Sequence, residues 1–283
     1  MQVSLALLFV LSATTLAGET RDSLPLATIK HGGLTRTWRL YTPPNLDRTH
    51  KTPLVLVLHG AGGDSARMLA TTHFNDLADT KGFLVAYVDG FEKHWNDLRG
   101  IPEWAAQKNN VDDVGFFNAL IGRLVDTAGA DPKRVYVTGI SNGGLMTHRL
   151  GCELADKVAA IAPVVRTLTE RLAEGCHPAR PLPVLMFFGT ADKLVPFEGG
   201  KQKMGSVETP VLSARGTIAK WAALDGCGAP PRVMKEPPKE HQVYEPCKSD
   251  ARVEAYILEG AGHSWPPDAT GIIWKFFETV HGR

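Results

Sequence analysis

Gly139-Ile140-Ser141-Asn142-Gly143 follows a run of β-forming residues, Arg134 to Thr138, and comes directly before Gly144 to Leu150, which reads as the start of a helix. Strand, glycine-flanked serine and helix in immediate succession describe a nucleophile elbow. The glycines permit a sharp, strained turn that lifts the Ser141 hydroxyl above the sheet edge, where bulkier neighbours would collide with adjacent strands. The five-residue pattern is weak by itself. Its position between a strand and a helix gives it weight, marks the chain as α/β and makes Ser141 the candidate nucleophile.

A serine hydroxyl is a poor nucleophile near neutral pH, so Ser141 needs a base within hydrogen-bond reach and an acid to orient that base. The apolar strand Pro183 to Phe188 ends in Gly189-Thr190-Ala191-Asp192, and the strand Val253 to Leu258 ends in Glu259-Gly260-Ala261-Gly262-His263-Ser264-Trp265-Pro266. Ligands of open α/β sheets bind outside the carboxyl ends of the strands, so Asp192 and His263 are expected in one crevice with Ser141. Serine, then acid, then histidine is the order of α/β-hydrolases. Asp192 closing a turn and His263 as a loop histidine are the plain alternatives, weaker jointly than singly. His177, His241 and His281 fit less well as bases, and Asp225 and Asp268 less well as acids, because none follows a buried-looking strand.

Acyl transfer also requires donors for a developing oxyanion. The backbone N–H of Asn142, next after the nucleophile, is one candidate. The other lies upstream, where Pro53 to Leu58 reads as a buried parallel strand leading into His59-Gly60-Ala61-Gly62-Gly63-Asp64, and Ala61 is the expected donor. A dinucleotide loop beginning at Gly60-Ala61-Gly62 fails on spacing, because Ser65 occupies the place of the last glycine.

Strand and helix patterns alternate with short turns, which predicts a mainly parallel sheet with helices on both faces. Leu26 to Lys30 and Thr35 to Tyr41 form an opening hairpin. Asp64 caps a helix running to about Thr80, and Asp112 or Asp113 caps another from Val114 to about Ala128. Further helices are expected from about Val211 to Leu224 and from Ile272 to Val280. Two long connections, Asp89 to Val111 with Trp95 and Trp104, and Pro196 to Pro210, are expected to overhang the crevice, without a large helical lid.

The chain has 283 residues, of which 43% are hydrophobic and 22% charged, with a net charge of +1 and no basic or acidic block. That removes support for nucleic-acid and membrane-surface roles. Leu5 to Leu16 is apolar but too short to span a bilayer, and it reads as a secretory signal cut after Ala17. Residues 1–17 are then leader and 18–283 one catalytic domain. Glu19 stands where a lipidated cysteine would follow Leu16-Ala17-Gly18, so no membrane anchor is expected, and the protein is expected to be secreted or periplasmic. Four cysteines allow three disulfide pairings. Local pairing, Cys152 with Cys176 and Cys227 with Cys247, is simplest, with four buried thiols as the alternative. No metal-binding spacing appears and no cofactor is expected.

Taken together, Leu58-His59-Gly60, Val88-Asp89-Gly90 with Trp95-Asn96-Asp97, Val111 to Phe116, Gly139 to Gly144, Gly189 to Asp192 and Gly262 to Pro266 resemble the exported esterases of the polyhydroxybutyrate depolymerase and feruloyl esterase group, across nearly the whole mature chain. The resemblance implies the α/β-hydrolase fold and the triad Ser141, Asp192 and His263, and it favours pairing Cys227 with Cys247. With the triad it leads to the expectation of a serine carboxylesterase but does not settle the substrate; Trp95 on the long loop and Trp265 two residues beyond the base are expected to flank an aromatic or short hydroxyacyl group, so that small soluble esters are the expected substrates. No room is visible in the mature chain for a polymer-adsorbing module. Polyester depolymerase, serine peptidase and catalytically silent binding protein are the rival readings. Val165-Arg166-Thr167 departs from the group, which tends to small residues there. Arg166 either pairs with a surface carboxylate, the simpler reading, or changes the charge beside the crevice.

Overall fold

The computed structural model describes residues 24–280; the expected leader, 1–17, and His281 lie outside the described residues. The chain begins with a hairpin, β1 (Leu26–His31) and β2 (Leu34–Tyr41), followed by β3 (Thr52–Leu58), α1 (Ser65–Thr72), α2 (Phe74–Lys81) and β4 (Leu84–Val88). A short α3 (Ala105–Lys108) and a long α4 (Asp113–Ala128) lead to β5 (Ala130–Ile140), α5 (Asn142–Glu153), β6 (Ala160–Val164) and α6 (Glu170–Gly175). After β7 (Val184–Gly189) come a hairpin of β8 (Gly200–Met204) and β9 (Val207–Val211), α7 (Ala214–Leu224), a second hairpin of β10 (Arg232–Glu236) and β11 (Lys239–Tyr244), then β12 (Val253–Leu258) and α8 (Ala269–Glu278).

One sheet of ten strands runs β1-β2-β4-β3-β5-β6-β7-β12-β11-β10 among the described residues, parallel from β4 to β12 and antiparallel at both margins. A strand buried on both sides must be apolar at every position, and the two-residue period then sorts its side chains between two cores. In β3, Leu54, Leu56 and Leu58 join the cluster covered by α4, α5 and α7, while Val55 and Val57 join that covered by α1, α2 and α8. Val184, Met186 and Phe188 against Leu185 and Phe187 repeat the division in β7. The fold is that of an α/β-hydrolase with helices on both faces, and a β-hairpin rather than a helical lid follows the loop after β7.

Three local expectations change. The helix capped by Asp64 breaks at His73, which takes φ 54°, and resumes as α2. Thr71 and Thr72 bond back to the carbonyls of Arg67 and Met68 at 2.8 Å, which weakens helix continuation, and the turn carries Phe74 into full burial. Asp112, not Asp113, caps α4 by accepting from Gly115 N at 2.8 Å. Asp113 is instead fully buried and accepts from Arg36 at 2.6 Å. The α7 helix starts at Ala214, after the Ser213 cap, because Val211 still pairs with Gly200 in the β8–β9 hairpin. The polar stretch around Lys235, to which the sequence reading assigns no element, forms β10 and β11, which extend the sheet edge. Its polar composition suits an edge that is exposed on most of its length.

Both local disulfides are formed, Cys152–Cys176 across a separation of 24 and Cys227–Cys247 across 20. In the loop-entropy model each contributes roughly 3 kcal/mol. Beside the second lies Asp225, which is fully buried, accepts from Leu182 N at 2.8 Å through Oδ1 and has no partner at Oδ2. Burial pushes its pKa from 3.8 up to about 7. The fold therefore favours its neutral form, and this contribution is complete below the unfolded value and lost as pH rises through about 7. Asp225→Asn keeps an acceptor for Leu182. It should stabilise the protein at pH 8 by about 1 to 4 kcal/mol and give much less at pH 4. Thermal melts of both proteins at the two pH values check this, and an equal difference at both would refute the assigned burial cost.

Candidate active site

The elbow is built by three close approaches. Ser141 has φ 58° and ψ −115°, a conformation that L side chains avoid and that persists only where surrounding structure enforces it. A side chain at Gly143 would place Cβ 2.4 Å from the His59 carbonyl oxygen, and one at Gly139 would place it 2.7 Å from Leu58 Cβ. The elbow helix therefore sits directly against the end of β3, and only glycine fits at either position. The same proximity brings the β3 loop to Ser141, since a Cβ on Gly60 would lie 3.4 Å from Ser141 Cβ. In that loop Gly62 N donates to Lys93 O at 2.9 Å and Gly63 N to Gly60 O at 3.0 Å, with exposed Ala61 just before them.

Register carries Asp192 and His263 to the same edge as Ser141. Leu58 pairs with Gly139, Ile140 with Val164, Val164 with Phe187 and Leu258 with Gly189, so β3, β5, β6, β7 and β12 end in one row. The loop after β12 folds over Gly189, whose added Cβ would lie 2.3 Å from Ala261 O. Ala191 N donates to Ala261 O at 3.0 Å, and Gly260 N donates to Thr190 Oγ1 at 2.9 Å. Two loops joined in this way bring His263 Nδ1 to 2.7 Å from Asp192 Oδ2. Leu194 N and Val195 N donate to the other carboxylate oxygen at 2.8 and 2.9 Å. Burial acts to raise the Asp192 pKa, but the bonds from His263 and the two amides outweigh it and hold the carboxyl below its usual range.

Beneath the elbow lies a polar cluster with no counterpart in the sequence reading. The Asn142 side chain accepts from Trp95 N at 2.9 Å and donates to Asp97 Oδ2 at 2.6 Å. Asp97 is gripped by Arg99 through Nε and Nη2, at 2.9 and 2.6 Å, and accepts from Gln107 Nε2 at 2.8 Å. His59 is buried as well. Gly90 N donates to its Nε2 at 2.8 Å, so the ring proton sits on Nδ1 and is given to Gly60 O at 2.7 Å; burial lowers the His59 pKa accordingly. The signal for the cluster was present as Trp95-Asn96-Asp97 in a long loop, but its direction, inward to the elbow, was not.

Trp95 is the correction that follows. It is fully buried among Phe117 and His59, and its Nε1 donates to His59 O at 2.9 Å. A tryptophan with both faces enclosed and its N–H spent on the backbone braces the loop after β3 from below and offers nothing to a crevice. Trp265 differs: it is half-buried, lies edge-on to Phe74, donates to Thr270 Oγ1 at 3.1 Å and lines a cleft of about 540 Å³ with His73, Asp76 and Pro267. Arg166 is not on the surface; it is 1% exposed and bonds Gln202, not a carboxylate. Among the rivals, His241 pairs with Glu254 on the sheet edge and Asp268 with Lys239, while Asp225 caps Leu182 far from the row of strand ends.

Residues 36–166 match the family model described as esterase PHB depolymerase. Feruloyl esterase B of Piromyces equi is 31% identical over 227 residues, covering 79% of this chain, and the chain spans only 41% of that relative's length. NocK of Nocardia uniformis subsp. tsuyamanensis, a protein named for an expected esterase activity, is 32% identical over 250 residues, covering 83% of this chain and 72% of its own. The chain belongs to the polyhydroxybutyrate depolymerase and feruloyl esterase group. Among solved structures, the acetyl xylan esterase from Aspergillus awamori superposes on this chain with a TM-score of 0.66 at 15% identity, over 90% of this chain and 99% of that one, a likeness of fold. The family match ends at Arg166, so it contains Ser141 and the Asn142–Asp97 cluster but stops before Asp192 and His263. Among the described residues no helix is long and apolar enough to cross a membrane, and no group of His, Cys, Asp and Glu is gathered to hold a metal ion.

Proposed function

We propose that this esterase is an exported serine carboxylesterase acting on small soluble esters with hydroxycinnamoyl, aryl or short hydroxyacyl groups. His263 accepts the Ser141 proton as the hydroxyl oxygen attacks the ester carbonyl, and Asp192 holds the imidazole by Nδ1 and stabilises its charged form. The backbone N–H groups of Ala61 and Asn142 receive the oxyanion. His263 then gives its proton to the departing alkoxide. Water, deprotonated by His263, cleaves the acyl-enzyme and restores Ser141. The observation that carries this reading is the 2.7 Å His263–Asp192 bond on the same row of strand ends as a serine held at φ 58°. The two disulfides support export, and exposed Leu194, two residues beyond Asp192, supplies apolar surface for an acyl or alcohol group, whereas the cleft lined by Trp265 contains none of Ser141, Asp192 and His263.

The description of the matching family favours a polyester as the second reading. Both are separated by one panel: p-nitrophenyl acetate, methyl ferulate, a p-nitroanilide and a solid polyhydroxybutyrate film. Turnover of the two soluble esters is expected to exceed product release from the film, with no cleavage of the anilide. Faster release from the film would establish the depolymerase reading, and comparable anilide cleavage the peptidase one.

A further inference from the structure

Arg166 enters directly after β6, one residue beyond Val165 at φ 46°, and is 1% exposed. Its backbone is pinned as firmly as its side chain. Trp221 Nε1 donates to His148 Nδ1 at 3.0 Å, so the neutral His148 ring, its pKa pushed by burial to about 3, carries its proton on Nε2 and presents it to Arg166 O at 3.3 Å. In the side chain only Nη1 is bonded, to Gln202 Oε1 at 2.7 Å; Nε and Nη2 have no partner. A buried cation without a counter-charge costs several kcal/mol. The carboxylates whose fields reach this one are Asp97 and Asp192, with Arg99 opposing. Asp97 is already chelated by Arg99, which leaves Asp192 as the negative charge available to balance Arg166.

A second connection runs through hydrogen bonds. Gln202, on β8 and 2% exposed, donates through Nε2 to Leu194 O at 2.6 Å. Leu194 N and Val195 N orient Asp192 Oδ1, and Asp192 Oδ2 meets His263. The Leu194 side chain is 54% exposed, so packing does little to hold this loop. Its carbonyl is the handle, and Gln202 grips it.

We propose that Arg166 and Gln202 are positioning residues for the acid–base pair: Gln202 fixes the Leu194 carbonyl and thereby the two amides on Asp192, while Arg166 anchors Gln202 and sets a buried positive charge toward the acid. The inference rests on the reading of Ser141, Asp192 and His263 as the reacting groups.

The test uses the whole protein, with kcat and KM on p-nitrophenyl acetate from pH 5 to 9 and a thermal melt for each variant. Gln202→Leu should lower kcat about 10- to 100-fold, as loose placement of a reacting group does, with KM within about twofold. Arg166→Met should do the same and also move the acid limb of kcat/KM to higher pH, because loss of a cation from the group formed by Asp192, His263, Asp97, Arg99 and His148 favours the charged imidazole. Arg166→Lys should restore the limb but not kcat. The double variant should be little worse than the poorer single one, since both break one connection. A raised KM at unchanged kcat, additive losses, or an unmoved acid limb in folded Arg166→Met would overturn the proposal. If Arg166→Met fails to fold, unchanged kcat in Gln202→Leu is sufficient to do so. Failure of the underlying reading looks different, as near-normal turnover in Ser141→Ala.

Discussion

Ser141→Ala and His263→Ala should each lower kcat by about 10⁶, and Asp192→Asn by about 10⁴, with the fold of each variant intact. The inequality follows from what each group supplies. Removing Ser141 abolishes the covalent route, and removing His263 leaves the hydroxyl without a base. Asp192→Asn leaves an amide that can still accept from Leu194 and Val195, where the carboxylate now bonds at 2.8 and 2.9 Å. What it loses is the charge that stabilises the imidazolium and the acceptor that keeps Nδ1 protonated. Single-turnover measurements with p-nitrophenyl acetate at pH 8, alongside circular dichroism, distinguish the three. A Ser141→Ala protein that is folded and turns over at near the native rate would remove Ser141 from the mechanism, whatever the other variants did.

The placement of those three residues at one row of strand ends was legible because each follows a local pattern that the sequence prints in full. Gly139 and Gly143 around Ser141 form a pattern that is read without knowing that both press against the end of β3, and the apolar run before Asp192 and the alternating run before His263 read as strands whose ends lie together. Trp95 shows where that logic stops. A loop from Asp89 to Val111 is visible in the sequence as long and aromatic, but whether its tryptophan faces out over a crevice or in beneath the elbow depends on contacts with Phe117 and His59 that are remote along the chain. The burial of Arg166 escaped for the same reason. A charged residue after a strand suggests solvent, and only the hairpin bearing Gln202, itself read as a loop, seals it. The β10–β11 hairpin escaped because its alternation is diluted by polar residues, which an edge strand tolerates and a buried one does not.

The other large effect is expected far from the reacting atoms, at Asp97. Its carboxylate is fully buried and satisfies Arg99, Gln107 and Asn142 together. Asp97→Ala leaves the Arg99 side chain, 1% exposed, as a cation without its partner, and breaking one side of a buried pair typically costs 3 to 5 kcal/mol, roughly. For a domain of this size that is a fall in melting temperature on the order of 10 °C. Glu240→Ala supplies the contrast, because its partner Arg215 is 55% exposed at 2.9 Å, and screened pairs of that kind are worth at most about 1 kcal/mol. Asp97→Ala should also slow turnover in the protein that remains folded, because Asn142 loses the anchor that fixes the first residue of α5, whose backbone N–H is assigned to the oxyanion. A melting temperature that falls no further for Asp97→Ala than for Glu240→Ala would mean that the cluster rearranges around Arg99. An unaltered kcat in that variant would mean that the elbow is held by its glycine contacts with β3 alone.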